Sequence, residues 1–369
     1  MKTYPIPMVP GPTSVPDRIL RAALINYGSG DLEEDFFLHY LKTEKKLQQL
    51  FATSNRVVVM TGEGMIALWS ALKSTLHPGD KVLAVTSGVF GTGIGEMAKS
   101  IGCEVQYVNH PYDGPAADFA RIEEALSLFQ PKMITAVHCE TPSGVMNPLV
   151  PLGALKEKYH VPLLYVDAVA SVGGEYINVD DNHIDLCLGG TQKVLSLPAN
   201  AAFLSVSPAA WDVAADVNYC GYDALLPFQH APENRFFPYT PSWVNIAQLF
   251  EAASVILDEG LDETIRRHRY NAALVRETMI EYGYRLFVRD PDYAASTVSA
   301  FYLPEQASWE IFDKKLRSKG LVVGGSYGPL SGKIFRLGHM GSQSDTNLID
   351  MTLEVFNNFK RESFLNDHS

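Results

Sequence analysis

The chain is short of positive charge. Thirty lysines and arginines face 42 aspartates and glutamates, a formal net charge of −12 at pH 7. No basic run is long enough to follow a phosphate backbone, which argues against a nucleic-acid-binding track. Long hydrophobic runs are missing as well. No stretch approaches the roughly 20 apolar residues of a membrane span, and the start, Met1-Lys2-Thr3-Tyr4-Pro5, has no apolar signal-peptide core. Cysteine is scarce: four residues, at 103, 139, 187 and 220, with no C-x-x-C spacing of metal ligands. Two of them lie in or beside apolar strand runs, which reads as reduced thiols of a cytoplasmic protein. Gly91-x-Gly93-x-Gly95 misses the spacing of a dinucleotide fingerprint, and no Gly-Lys-Ser/Thr follows Gly62-Glu63-Gly64 to make a Walker loop.

What is present is an ordinary globular composition, 46% hydrophobic and 20% charged over 369 residues. Apolar, β-branched runs at 56–61, 81–86, 105–108, 133–138, 161–166, 184–188 and 201–206 read as strands. Helical stripes at 36–51, 65–74, 119–129 and 152–159, and a helix running to about 101, separate most of them. That alternation predicts an α/β fold whose mostly parallel sheet is covered on both faces. Residues 207–243 read as Pro- and aromatic-rich loops. From about 260 the strands become sparse (299–303, 321–324, 334–338) among amphipathic helices, which predicts a smaller α+β domain. The expected organisation is an N-terminal arm over 1–20 packing with the small domain, a large α/β domain over 21–259 and the small domain over 260–369.

The chain is organised around Val166-Asp167-Ala168-Val169 and Gly189-Gly190-Thr191-Gln192-Lys193. Each follows an apolar strand run, so an acid and a lysine sit at the mouths of successive strands, at a sheet's carboxyl edge. Pyridoxal chemistry needs this pair: a lysine amine for the Schiff base, and a carboxylate to keep the pyridine nitrogen protonated. Alone, either is a surface lysine or a turn acid; together, in this order, they point to a cofactor site. Gly62-Glu63-Gly64-Met65 opens a helix where N–H groups favour an anion, and is equally a tight βα turn. Phe90 follows the next strand, as a ring-stacking residue or as core. In His138-Cys139-Glu140-Thr141-Pro142-Ser143-Gly144, the Thr141 and Ser143 hydroxyls either bond a ring substituent or organise the turn. Arg336, inside a strand-like apolar run, is either an edge residue or a two-pronged carboxylate clamp.

With these residues in place, the chain resembles the class V, fold-type I pyridoxal-dependent aminotransferases of the alanine–glyoxylate/serine–pyruvate group. The likeness runs from Pro10-Gly11-Pro12 through the Arg336 segment. It implies a large seven-stranded-type sheet domain and a smaller C-terminal domain. It also implies Lys193 as Schiff-base lysine, Asp167 as partner of the pyridine nitrogen, Val169 and Phe90 on the two ring faces, and Arg336 on the substrate carboxylate. Glu63, Gly64, Met65, Thr141, Ser143 and Gln192 complete the expected ring and phosphate surroundings. The family's homodimer, or a tetramer of such dimers, brings the loop carrying Phe237 and Thr240 to the neighbour's cofactor.

Two departures direct the functional expectation. Glu63 stands where the group usually has a small hydroxyl residue, and Phe237 where it has a phosphate-binding tyrosine. Both remove phosphate affinity, and one adds negative charge. That combination resembles the pyridoxamine–pyruvate transaminase branch, in which free pyridoxamine is a substrate and pyridoxal is released. A further arginine of that branch, in the loop before the Arg336 strand, is replaced here by Gly325-Ser326-Tyr327-Gly328. The expected activity is therefore transfer of the amino group of pyridoxamine to pyruvate, giving pyridoxal and L-alanine, in vitamin B6 degradation. The alternative is a conventional alanine–glyoxylate or serine–pyruvate aminotransferase using pyridoxal 5′-phosphate. A cysteine desulfurase of the same fold needs a nucleophilic cysteine in the small domain, and none follows Cys220. A non-catalytic binding scaffold is disfavoured by the presence of both Lys193 and Asp167.

Overall fold

The computed structural model describes residues 3–305 and 307–366. The chain opens with β1 (Ile6–Met8), α1 (Asp17–Ala22) and α2 (Glu34–Phe51). It then alternates through β2 (Arg56–Thr61), α3 (Gly64–Thr75), β3 (Lys81–Thr86), α4 (Val89–Ile101), β4 (Glu104–Asn109), α5 (Phe119–Phe129) and β5 (Met133–Val137). A small hairpin, β6 (Cys139–Glu140) and β7 (Val145–Met146), precedes α6 (Val150–Lys158). There follow β8 (Leu163–Asp167), β9 (Leu186–Gly190), β10 (Ala201–Val206), α7 (Pro208–Val217), α8 (Ala231–Asn234), α9 (Trp243–Glu259) and α10 (Leu261–Glu281). The last part carries β11 (Ser299–Tyr302), α11 (Trp309–Ser318), β12 (Leu321–Val323), β13 (Ile334–Leu337) and α12 (Thr346–Asn366).

Seven strands form one sheet in the order β2-β10-β9-β8-β5-β3-β4. Strands β9, β8, β5, β3 and β4 are parallel neighbours, and β10 alone runs antiparallel to both of its neighbours. Every residue of β5, β8, β9 and β10 is buried. This is why those strands read as unbroken apolar runs: helices cover both faces of the sheet. Burying a side chain such as Leu163, Leu164 or Val166 contributes about 1.5–3 kcal/mol each.

A second core lies outside this sheet. Phe301, Phe312, Phe335 and Phe356 pack together with Ile6 and Met8 of the N-terminal arm. There β11 pairs antiparallel with β13, and β1 pairs parallel with β12, Ile6 opposite Leu321 and Met8 opposite Val323.

One expected region differs. Residues 207–243 are not all loop, because α7 spans Pro208–Val217. Its start is a local signal: Ser207 accepts the Ala210 N–H, and Pro208 occupies the first helical position, where a missing N–H costs nothing. Gly260 separates α9 from α10.

Candidate active site

Because β2, β3, β5, β8 and β9 point the same way, their carboxyl ends and the following turns share one edge of the sheet. After β2, Glu63 is the N-cap of α3, and its Oε2 accepts the Met65 N–H at 2.9 Å. Its Oε1 accepts a hydrogen bond from Gln192 Nε2 at 2.6 Å. A carboxylate only accepts, so Gln192 turns its NH₂ toward Glu63 and leaves its own Oε1 buried without a partner.

Asp167 ends β8 and is only 6% exposed. Its Oδ1 accepts the Val169 N–H at 2.9 Å, and burial pushes its carboxyl up to about 6, against the pull of that N–H and of Lys193. Lys193 follows β9. Burial first, and then the charge of Arg336, lower its amine to about 8. Its Nζ donates to the Pro10 carbonyl at 2.5 Å. The same arm is tied down by Thr13, whose N–H bonds the Gln192 carbonyl and whose hydroxyl donates to the Lys193 carbonyl. Gly11 lies between these contacts with φ of +88°. A Cβ there would come within 2.6 Å of Lys193 Cδ, so the arm can lie over the lysine only with glycine at this point.

These groups surround a cavity of about 240 Å³. Among the expected residues, Glu63, Gly64, Met65, Phe90, Thr141, Asp167, Val169, Gln192 and Lys193 line it. Arg336, 3% exposed, stands behind Thr141. Its Nε donates to the Gly325 carbonyl at 2.6 Å and its Nη1 to the Thr141 carbonyl at 3.1 Å. Two backbone carbonyls thus fix the guanidinium at Nε and Nη1.

Three expected residues fall elsewhere. Ser143 is fully buried and does not line the cavity; its N–H and hydroxyl both bond the Glu140 carbonyl, so it organises the turn. Phe237 is a core residue, stacked on Phe37 with ring centroids 5.9 Å apart and packed on Tyr40 at 4.9 Å. The aromatic slot offered by α2 holds it, and it does not line its own chain's cavity. Thr240 is exposed and also lies outside that cavity.

The cavity also includes Gly11, Pro12, Cys139 and Tyr327, which the sequence does not single out as site residues. Gly11 and Pro12 arrive from the far end of the sequence and carry no local signal. Cys139 sits two residues before Thr141, whose hydroxyl is the stronger local signal. Glu140 was passed over too. It is fully buried, and its two oxygens accept the N–H groups of Phe90 and Gly91 at 3.1 and 2.7 Å, which anchors the start of α4. Burial holds its carboxyl near 7 despite those two donors.

The model of the family described as aminotransferase class-V matches residues 11–335. This chain belongs to the class-V aminotransferases. An uncharacterised aminotransferase of Methanocaldococcus jannaschii is 34% identical, covering 90% of this chain and 87% of its own. The alanine–glyoxylate aminotransferase of Callithrix jacchus is 29% identical over 94% of this chain and 85% of its own. Among solved structures, the pyridoxamine–pyruvate aminotransferase of Mesorhizobium loti superposes with a TM-score of 0.93 at 26% identity, over 98% of this chain and 93% of that one. This class-V aminotransferase is accordingly a transaminase with the α/β fold-type I architecture. Among its described residues no helix is long and apolar enough to cross a membrane.

Proposed function

We propose that this transaminase moves the amino group of free pyridoxamine to pyruvate, giving pyridoxal and L-alanine, in the breakdown of vitamin B6. The observation that carries this reading is Glu63. Class-V aminotransferases work with pyridoxal phosphate, and a helix N-terminus such as that of α3 is where a phosphate would be expected. Here the Met65 N–H and the Gln192 NH₂ already bond the Glu63 carboxylate. The polar atom left over, Gln192 Oε1, is an acceptor. A hydroxymethyl group can donate to that oxygen or to Glu63, whereas an ionised phosphate brings acceptors and a like charge. At 4 Å and an effective dielectric near 20, two such charges repel by roughly 4 kcal/mol, an upper figure because Glu63 reaches solvent. The ring end of the cavity fits pyridoxamine and pyridoxal phosphate alike; the phosphate end does not suit the ester.

Bound there, the pyridine ring supplies the electron sink for the carbon that loses a proton. Asp167 Oδ2, free of the Val169 N–H, holds the proton of the ring nitrogen. Val169 and Phe90 fix the ring's plane. Lys193 Nζ, uncharged above about pH 8, takes the proton from the amine-bearing carbon and returns it to C2 of the acceptor. Arg336 turns its Nη2 edge to the acceptor's carboxylate.

The relatives named for alanine–glyoxylate transfer support a second reading, a conventional aminotransferase with bound pyridoxal phosphate. Paired equilibrium titrations with pyridoxal and pyridoxal phosphate decide between them. Preference for pyridoxal supports the first; equal or tighter binding of the ester, or its co-purification, replaces it with the second.

The assembly and compartment belong to the same proposal. Phe236, Tyr222 and Leu24 are 71%, 62% and 81% exposed, which supports a homodimer or tetramer in which the loop with Phe237 and Thr240 adjoins the neighbouring site. Four free thiols, three of them buried, support a cytoplasmic location. We divide the chain into the arm (1–20), the large domain (21–259) and the small domain (260–369); the second hydrophobic core, drawn from the arm and from residues after 260, supports this.

A further inference from the structure

The wall of the acceptor site contains one side chain that the steps above leave without a task. Tyr327 lies in the loop between β12 and β13, lines the cavity and is 54% exposed. Its ring lies against the Arg336 guanidinium, with Cζ 4.8 Å from the ring centroid. The loop is held on both sides of it. Ser326 Oγ donates to the Pro142 carbonyl at 2.7 Å, and the Gly325 carbonyl accepts from Arg336 Nε. Position 328 approaches Val89 at the start of α4. Tyr327 is thus fixed over one face of a guanidinium whose Nε and Nη1 are already engaged.

The charges around it are equally specific. Among the described residues lining the cavity, Lys193 is the one cation and the acids are Glu63 and Asp167. An acceptor with one carboxylate can place it on Arg336. A second carboxylate would face Tyr327, Glu63 or Asp167 with no second guanidinium to receive it.

We propose that Tyr327 is a specificity-determining residue: its ring closes the space beside Arg336, and its hydroxyl supplies the second donor to a single carboxylate, so the site takes short 2-oxo monocarboxylates and rejects 2-oxo dicarboxylates. This rests on the reading that Arg336 binds the acceptor, and it does not depend on whether the amino donor carries a phosphate.

The test is steady-state kinetics with one amino donor held fixed, comparing pyruvate with 2-oxoglutarate on the wild type, Tyr327→Phe and Tyr327→Ala. The wild type favours pyruvate in kcat/KM by at least about a hundredfold. Tyr327→Phe, which keeps the ring, raises KM for pyruvate about tenfold with kcat within about twofold. Tyr327→Ala lowers the pyruvate to 2-oxoglutarate ratio by about tenfold or more. A merely structural tyrosine would instead lower both acceptors equally and leave the ratio in place. An unchanged ratio in both variants, or a wild type that uses 2-oxoglutarate as well as pyruvate, overturns the proposal. Loss of the donor preference for pyridoxal over its phosphate would overturn the donor reading and leave this ratio unaffected.

Discussion

Glu63 Oε1 and Gln192 Nε2 are hydrogen-bonded at 2.6 Å, joining the turn after β2 to the turn that carries the catalytic lysine candidate. The Glu63 carboxylate consumes two donors, the Gln192 NH₂ and the Met65 N–H, at the point where a phosphate would need them. Replacing Glu63 by Ser releases both. Glu63→Ser is expected to tighten pyridoxal phosphate binding by about 10–100-fold, or roughly 1.4 kcal/mol per tenfold, and to weaken pyridoxal. Equilibrium titration of both ligands on both proteins measures this; an unchanged ratio would remove Glu63 as the discriminating group.

For Lys193, burial brings the amine into the neutral form at lower pH than an ordinary lysine. Its reaction with pyridoxal should rise as pH increases through about 8 and level off above, with borohydride trapping marking Lys193 in a peptide map. Lys193→Ala should show no trapping and almost no transamination. A label distributed over other lysines, or a rate that falls across that range, would contradict the assignment.

Asp167→Asn keeps an acceptor for the Val169 N–H but cannot hold a proton on the ring nitrogen by charge. Turnover should fall by about 10²-fold or more, while circular dichroism and melting temperature stay close to wild type. Unaltered turnover would make the residue a turn acid only.

Arg336→Lys substitutes a point charge for a planar fork held by two carbonyls. Losing a charged hydrogen bond of about 1.5–3 kcal/mol raises KM for pyruvate by roughly 10–100-fold. Pyridoxal binding, measured separately, should move little. Normal pyruvate kinetics in this variant would move the carboxylate site elsewhere.

The legibility of these features followed their range in sequence. The parallel sheet and its edge were readable because β5, β8 and β9 are buried on both faces and so lack alternation. Asp167 and Lys193 were readable because each immediately follows such a run. Phe237 was placed by resemblance at a neighbouring chain's cofactor; within its own chain it packs on Phe37 and Tyr40. The hydroxyls near 140 left two roles open; the structure puts Thr141 on the cavity and folds Ser143 into the turn. Glu140 escaped notice because an acid in a polar turn reads as solvated, and only the three-dimensional approach of α4 buries it. Gly88 shows how close that approach is: a Cβ there would stand 2.3 Å from Glu140 Cδ.

The arm through Ile6–Met8 and Pro10 has a consequence for how the molecule comes into being. Synthesis proceeds from the amino end, so β1 is made long before its pairing partner β12. Met8 likewise waits for Gly338, whose N–H bonds its carbonyl, and Val9 for the Gln343 side-chain amide. A nascent chain can therefore complete the seven-stranded sheet while the arm beside Lys193 still lacks these contacts. Thr13 ties the arm to Gln192 and Lys193 from within the first 193 residues, and the C-terminal part of the chain then adds the remaining hold on it. Contacts this distant are slow to form, so the arm beside Lys193 is held in full only after β12, Gly338 and Gln343 have been made.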